Sequence, residues 1–370
     1  MKELKQFLYV FMMIVATLLV GCTKEGPQGE PGKDGINGEN GTNGENGADG
    51  ASGCIQCHKN DQEIPMKVDQ YKFSAHSKGN EHVGHFISSS CTMCHTSQGF
   101  LQATADGTNE GGSHDQVTGM SCYTCHQIHN NYTRDDYAMN YSGEVDFILN
   151  GNGPFTDVIV DAGEPSNTCV KCHQPRTQGS NQPDPSKAET ETLTISGSSA
   201  GRYGPHHGAQ GAIYGGVGGY LTVAQGEGSK GKHNCVFCHM GTDAVKKTNG
   251  SAGGYESFMA GGHAFNLTFE HDGSLLIDRC NECHAGNDGP DDIPAIIAAN
   301  DLLIDGLKDK LIELGIATDA GSLVAGTYTH QQLAAFWNYK LLEEDLSHGL
   351  HNPGYTLKLV TSSLEYLGAN

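Results

Sequence analysis

The sequence is short of the residues that build an ordinary core. Only 36% of its 370 residues are hydrophobic, aromatics make up 7%, and Trp337 is the one tryptophan. On its own, so apolar-poor a chain is a weak core builder for its length. Basic residues are scarce as well: 22 Lys and Arg stand against 43 Asp and Glu, a net charge of −21. This argues against a nucleic-acid partner, which needs clustered cations. It favours solubility and contact with cationic or mineral partners. A long uncharged apolar run occurs at 7–20, too short for a typical membrane-spanning helix.

Cysteine and histidine, by contrast, are abundant and ordered. Twelve of the 13 cysteines fall in six copies of Cys-x-x-Cys-His. The copies are Cys54, Cys57 and His58; Cys91, Cys94 and His95; Cys122, Cys125 and His126; Cys169, Cys172 and His173; Cys235, Cys238 and His239; and Cys280, Cys283 and His284. With 19 histidines in 370 residues, a histidine follows a given Cys-x-x-Cys by chance about 5% of the time, and six times over on the order of once in a hundred million. This is the spacing of a c-type haem attachment site, in which two thiols bond the porphyrin vinyl groups and the adjacent imidazole reaches the iron. Structural zinc would need thiolates in fours and gives no reason for the invariant histidine. Disulfides suit an exported chain but not the motif. The cofactor expected is therefore six haem c, and the apolar porphyrins would supply the interior that the polypeptide lacks.

The thirteenth cysteine, Cys22, ends the segment Leu19-Val20-Gly21-Cys22 behind two N-terminal lysines and the apolar run. This reads as an export signal over 1–21. Its end resembles a bacterial lipobox, which implies cleavage before Cys22 and acylation of that residue, with 22–25 as the lipidated N-terminus. An uncleaved anchor is the alternative. Several acyl chains on one residue hold a protein stably at a membrane where a single chain does not, and the lack of Asp after Cys22 favours an outer membrane by analogy.

From Gly26 to Gly53 glycine recurs at every third position, the collagen-like period. Two readings stand: a triple helix, which makes the protein a trimer, or a solvated spacer. Extended at about 3.1 Å per residue, 26–53 would reach roughly 85 Å. Residues 54–370 then form one continuous domain carrying all six motifs, with a subdomain boundary near 185–200.

The fold expected there is mainly α with extensive loops and few short strands, wrapped around the haems. Each motif belongs on a short helix, since thiols at i and i+3 must face one porphyrin edge. Helical spacing predicts helices over 292–315, 329–346 (capped by Thr329) and from Pro353 to about Leu367. Residues 266–277 read as a hairpin turning at Asp272-Gly273. Residues 180–232 read mostly as loop, with glycines 211–219 allowing close approach to haem faces.

The sixth ligand of each iron separates an electron carrier from a catalyst. Thirteen histidines lie outside the motifs, more than six irons need. Local context selects His76, His114, His129, one of His206 and His207, His263 and His351. His82, His85 and His233 are held in reserve, and His271 and His330 fit least well.

The segment running from Asn338-Tyr339 to Ser347-His348-Gly349-Leu350-His351-Asn352-Pro353 resembles the terminal element of multihaem cytochromes. These include relatives of hydroxylamine oxidoreductase and cytochrome c nitrite reductase. The resemblance implies that His351 is a distal ligand and His348 a bystander. Gly261-Gly262-His263 and Gly204-Pro205-His206-His207 look like further elements of that kind. The chain lacks the Cys-x-x-Cys-Lys site of the nitrite reductases and has fewer than the eight motifs of hydroxylamine oxidoreductase. Both departures argue against transplanting those activities.

The function expected is electron transfer through six haems at the cell envelope or surface, towards an extracellular acceptor or another redox protein, with no catalytic residue assigned. A multihaem reductase of a small nitrogen or sulfur oxyanion, with one open iron, is the alternative enzyme reading. A subunit of a polymeric cytochrome filament is the alternative structural one.

Overall fold

The computed structural model describes residues 50–58, 63–78, 89–149, 155, 158–178, 182–222, 233–241, 259–268, 275 and 293–368. Cys22, most of the Gly-x-y segment, the sixth motif (Cys280, Cys283, His284) and His82, His85 and His271 lie outside them. Every described residue belongs to the unit Asp49–Asn370.

Helices carry most of the regular structure. The strands are short and form three antiparallel pairs: β1 (Val145–Asp146) with β2 (Ile159–Val160), β3 (Arg176–Gln178) with β5 (Gly204–His206), and β4 (Thr192–Ile195) with β6 (Gly326–Thr329). Among the described residues no helix is long and apolar enough to cross a membrane.

Three C-terminal helices organise the apolar core, and each ends where its sequence says it should. The helix Ile293–Glu313 stops at Gly315, whose φ of 68° suits a residue without Cβ. The helix His330–Asp345 opens with a capping box: Thr329 Oγ1 accepts from Gln332 N at 3.1 Å, and Gln332 Oε1 accepts from Thr329 N at 3.0 Å. In Pro353–Tyr366, Asn352 Oδ1 accepts from Tyr355 N at 3.0 Å and Pro353 takes the first turn, where its missing N–H is no loss. Phe336, Trp337, Tyr339, Leu341, Tyr355 and Leu359 are buried here against Phe147, Leu149, Ile213 and Leu307. Each such side chain contributes roughly 1.5–3 kcal/mol on burial.

Residues 182–222 hold β4, β5 and two helical turns, Gly197–Ala200 and Gln210–Gly215, joined by loop. β4 pairs with a strand more than a hundred residues away, so no local alternation announces it. The glycines of 211–219 also pack closely against the polypeptide. Gly219 lies against the C-terminal helices: a Cβ there would sit 2.3 Å from Leu359 Cδ2 and 2.9 Å from the Tyr355 hydroxyl. That close approach lets Gly219 N donate to Tyr355 OH at 2.9 Å and Trp337 Nε1 donate to Gly218 O at 2.9 Å. Asn338, fully buried, completes the junction: its Oδ1 accepts from Tyr220 N at 2.7 Å and its Nδ2 donates to Tyr220 O at 2.6 Å.

Thr268 and Leu275 form an antiparallel bridge, as a hairpin over 266–277 requires; the turn at Asp272-Gly273 lies outside the described residues.

Candidate cofactor sites

Five motifs are described, and each sits on a helical turn: Gly50–His58, Ser89–His95, Cys122–Cys125, Asn167–Cys172 and Cys235–His239. Helical spacing puts the two cysteines of a motif on one face, with the histidine at or just past the end. Side chains fix these short turns at both ends. Asn234 Oδ1 accepts from Phe237 N at 3.0 Å, opening the turn of Cys235. Asn140 Nδ2 lies 2.9–3.1 Å from the carbonyls of Tyr123, Thr124 and His126, closing the turn of Cys122.

Four motif histidines each face a histidine from a distant segment. Ring centroids are 6.2 Å apart for His58 and His129, 6.2 Å for His126 and His263, 6.0 Å for His173 and His76, and 6.3 Å for His239 and His351. These spacings are too long for stacked rings. A metal–imidazole bond of about 2 Å plus a ring radius of about 1.1 Å puts two trans ligands about 6.2 Å apart, centroid to centroid. The four pairs therefore match the width of one metal ion between two imidazoles. Among the described residues no group of three or more His, Cys, Asp or Glu is arranged to hold a bare metal ion.

The hydrogen bonds leave the right nitrogen open. His126 Nδ1 donates to Tyr137 O at 2.7 Å and His239 Nδ1 to Phe265 O at 2.8 Å. His173 Nδ1 donates to Gln210 Oε1 at 3.0 Å. The amide of Gln210 is oriented by its own donation to the carbonyls of Glu344 and Asp345, at 3.1 and 3.2 Å. His351 Nδ1 meets Asp345 Oδ1 at 2.6 Å. A protonated Nδ1 leaves the Nε2 lone pair for a metal, the usual division of labour in a ligating imidazole.

Burial keeps several of these rings neutral, as a ligand must be. His76 is lowered to about 4, first by burial and then by the nearby imidazoles of His173 and His239. His263 is lowered to about 4 by burial, His126 and Lys67. His351 goes the other way: burial alone would lower it, but the hydrogen bond and charge of Asp345 outweigh burial and raise it.

The rings are aimed by their own segments. His129 has φ 63°, a left-handed conformation uncommon for a residue with a side chain. The loop after it is held by Asp136, buried at 5% exposure, which accepts from Asn131 N at 2.7 Å and Tyr132 N at 2.9 Å. His263 rides on the turn Gly262–Ala264, which packs on the helix Glu63–Phe73; Gln70 Oε1 accepts from His263 N at 3.2 Å. Phe265 joins three pairs, its carbonyl bonded to His239 and its ring 5.3 Å from His76 and 5.9 Å from His263.

The remaining histidines are placed differently. His95, the histidine of the second motif, lies within electrostatic reach of His206, His207 and Arg176. Burial first, then Arg176, His207 and His95, lower His206 to about 4. His207 is exposed, its Nδ1 2.9 Å from Glu344 Oε2. His114 Nε2 donates to Gly111 O at 2.8 Å within its own turn, and His284, the histidine of the sixth motif, lies outside the described residues. His330 Nδ1 accepts from Asp184 N at 2.9 Å, His348 Nδ1 is 2.7 Å from Asp301 Oδ1, and the His233 ring lies against Phe237 at 4.6 Å.

The thiols of neighbouring motifs also meet. Cys94 is hydrogen-bonded to Cys172, and Cys169 to Cys235. The backbone agrees: Cys172 Sγ reaches Met93 O at 3.6 Å, and Val236 N donates to Ser166 Oγ at 3.2 Å. The second and fifth motifs therefore both adjoin the fourth.

The thiols of the described motifs meet different neighbours. Cys57 Sγ donates to Thr133 O at 3.7 Å, in the loop after His129, while Cys54 is exposed. A thiol is a weak donor that takes a carbonyl within reach, so here the side chain is turned to the protein. Cys238 is half-buried and electrostatically near Tyr214, and its backbone N donates to Asn234 O at 3.3 Å. None of the ten described motif cysteines forms a disulfide.

No family model matches this chain, and no curated protein matches it. Among solved structures, the chain is similar to an undecaheme cytochrome from the S-layer of Carboxydothermus ferrireducens, with a TM-score of 0.42 and 18% sequence identity. The match covers 79% of this chain and 40% of that one, so this chain spans less than half of that protein's length.

Proposed function

We propose that this chain is a six-haem c-type cytochrome that carries electrons at the cell envelope. One observation carries the reading: four Cys-x-x-Cys-His histidines face a second imidazole at 6.0–6.3 Å, the span of a doubly ligated iron. Bound haem c would supply reversible one-electron chemistry at iron, with both oxidation states served by the same two imidazoles.

The chain's own residues divide the remaining work. Cys54 with Cys57, Cys122 with Cys125, Cys169 with Cys172 and Cys235 with Cys238 would hold the porphyrin edges. His58 with His129, His126 with His263, His173 with His76 and His239 with His351 would be the axial pairs. For Cys57 this asks the thiol to exchange Thr133 O for a thioether bond, a single-bond rotation away from a weak contact. Tyr137 O, Gln210 and Phe265 O orient the motif imidazoles, while Asp136 and Gln70 orient the partners. The motif of Cys91, Cys94 and His95 would take its second ligand from His206 or His207, which share its electrostatic surroundings. Cys280, Cys283 and His284 would serve the sixth haem. The contacts of the fourth motif with the second and fifth, and the meeting of three pairs at Phe265, favour a close-set group of cofactors.

The address follows from the sequence. Acylated Cys22 would anchor the protein, the Gly-x-y segment would hold the cytochrome domain away from the lipid, and the electron acceptor would be extracellular or a partner redox protein. Intact-mass analysis of the exported protein, with haem-peptide mapping, tests this directly. Six covalent haems and an acylated Cys22 are expected; a chain without covalent porphyrin would refute the reading.

A further inference from the structure

Four rings of the histidine pairs have a defined Nδ1 partner among the described residues. Three of those partners are neutral oxygens: Tyr137 O for His126, Gln210 Oε1 for His173 and Phe265 O for His239. The fourth, His351, bonds a carboxylate at 2.6 Å, and that carboxylate, Asp345, is only 1% exposed. A buried carboxylate is expensive to hold without partners. Asp345 has two, His351 and the Ser347 hydroxyl, which donates to its second oxygen.

The backbone is contorted to make this contact. Between Asp345 and His351 the chain passes through Leu346 at φ 57°, His348 at φ 54° and Gly349 at φ 76°. Two left-handed residues that are not glycine carry a conformational penalty that persists only where surrounding structure enforces it. Ser347 Oγ also accepts from His351 N at 3.2 Å, closing the turn around the pair.

We propose that Asp345 is a potential-setting residue that makes the His239/His351 haem the most reducing of the four paired sites. The inference rests on the cytochrome reading above and goes beyond it by ranking the sites. A carboxylate hydrogen-bonded to Nδ1 draws the proton away from the ring and makes Nε2 a stronger donor to the metal. Stronger donation, together with a fixed negative charge in a water-poor site, favours Fe(III) over Fe(II). The couple is Fe(III) plus one electron giving Fe(II), the electron coming from the electrode or mediator in the titration. Sites whose Nδ1 meets a neutral oxygen lack this bias. The polypeptide thus distinguishes otherwise equivalent axial pairs by one hydrogen-bond acceptor.

The test is a spectroelectrochemical titration of the full haem-loaded protein, wild type against Asp345→Asn and Ser347→Ala, with haem content and low-spin signal measured in parallel. Asp345→Asn keeps an acceptor oxygen but removes the charge. It should move one haem's share of the titration upward, changing that haem's oxidised-to-reduced ratio at least tenfold at fixed potential, about 59 mV for one electron. Ser347→Ala removes a competing donor, concentrates the carboxylate on His351, and should move the same component downward. If Asp345→Asn fails to fold, the downward shift in Ser347→Ala carries the test alone. Unchanged potentials in a variant that retains its haems and low-spin signal would overturn the inference and leave the cytochrome reading standing. A shift in the same direction for both variants would also overturn it. Absence of covalent haem from the wild type would instead defeat the reading beneath.

Discussion

Replacing His263 by alanine gives the sharpest test of the paired-ring geometry. The ring of His263 stands 6.2 Å from that of His126 and 5.9 Å from that of Phe265, on a 3-10 turn fixed by Gln70. The turn's backbone needs nothing from the side chain: Gly261 and Gly262 supply its positive φ angles, and Gln70 binds the main-chain N–H. The fold should survive, at a cost of about 0.5–3 kcal/mol against a domain stability of about 5–15. On the proposed cytochrome reading, what is lost is one ligand of one iron. With six motifs in the chain, about one sixth of the low-spin haem signal should convert to high spin. Added imidazole should restore it, because the pocket vacated by His263 matches the small molecule. Electron paramagnetic resonance and near-infrared magnetic circular dichroism read the change. His348→Ala is the matched control: its ring is exposed, with Nδ1 2.7 Å from Asp301 Oδ1, and no low-spin signal should disappear. Full low-spin signal in His263→Ala, or an equal loss in both variants, would refute the argument that centroid spacing identifies the ligands.

Three further outcomes are expected. Asp136→Ala removes both acceptors from the loop after His129, a local loss of about 2–4 kcal/mol, and should convert the His58/His129 site towards high spin while the other sites keep their spectra. Asn338→Leu preserves volume but leaves Tyr220 N–H and C=O buried without partners; it should lower unfolding stability by about 2–5 kcal/mol in denaturant titrations, with the low-spin signal of the folded fraction unchanged. In protein matured without haem, limited proteolysis should cut first within residues 50–140 and spare the 293–366 helices.

That last outcome follows from where the apolar residues lie. Before Val145, the described buried hydrophobic residues are Met93, Phe100 and Ala103; the continuous cluster runs from Val145 to Val360. Composition had indicated a chain too poor in apolar side chains for its length, and the structure shows that the shortage is uneven. The C-terminal helices hold Trp337, Phe336 and Tyr355 in an ordinary close-packed core. Polar anchors hold much of the motif-bearing N-terminal region instead: Ser97 against Gly119 O and Thr124, Tyr71 against Met120 O, and Lys171 against Thr108 O and Asn109. Such bonds fix directions well and contribute about 0.5–1.5 kcal/mol net each, too little to replace a core.

How far the sequence could be read divides along the same line. The C-terminal helices were legible because their signals are local: Thr329 with Gln332 at one start, Asn352-Pro353 at another, Gly315 at a stop. The motifs were legible because one fixed spacing recurs six times along the chain. That spacing does not say where each thiol turns: Cys57 reaches Thr133 O, a contact across 76 residues that no local pattern announces. Strands β4 and β5 were not legible, since each is three or four residues long and finds its partner only in the folded chain. Local context could nominate His76, His129, His263 and His351 but could not say which motif histidine each would face. Asp345, Gln210 and Asp136 left still fainter traces, because orienting a ring needs only one oxygen in the right place and many residue types offer one.

The pairing pattern also constrains how the structure can be reached. Each described pair joins segments far apart in the chain, and His126 and His129, three residues apart, serve two different pairs. Closing such loops costs entropy that the contacts must repay, and two neutral imidazoles with centroids 6.0–6.3 Å apart repay little of it by themselves. Burial that lowers His76 and His263 to about 4 makes the matter worse for a bare protein, since two polar rings are desolvated without a bond to show for it. The arrangement becomes favourable only when something between the rings bonds both. Folding of the motif-bearing region and occupation of its sites are on this argument one event, while the C-terminal core, closed by its own packing, provides the frame on which that event takes place.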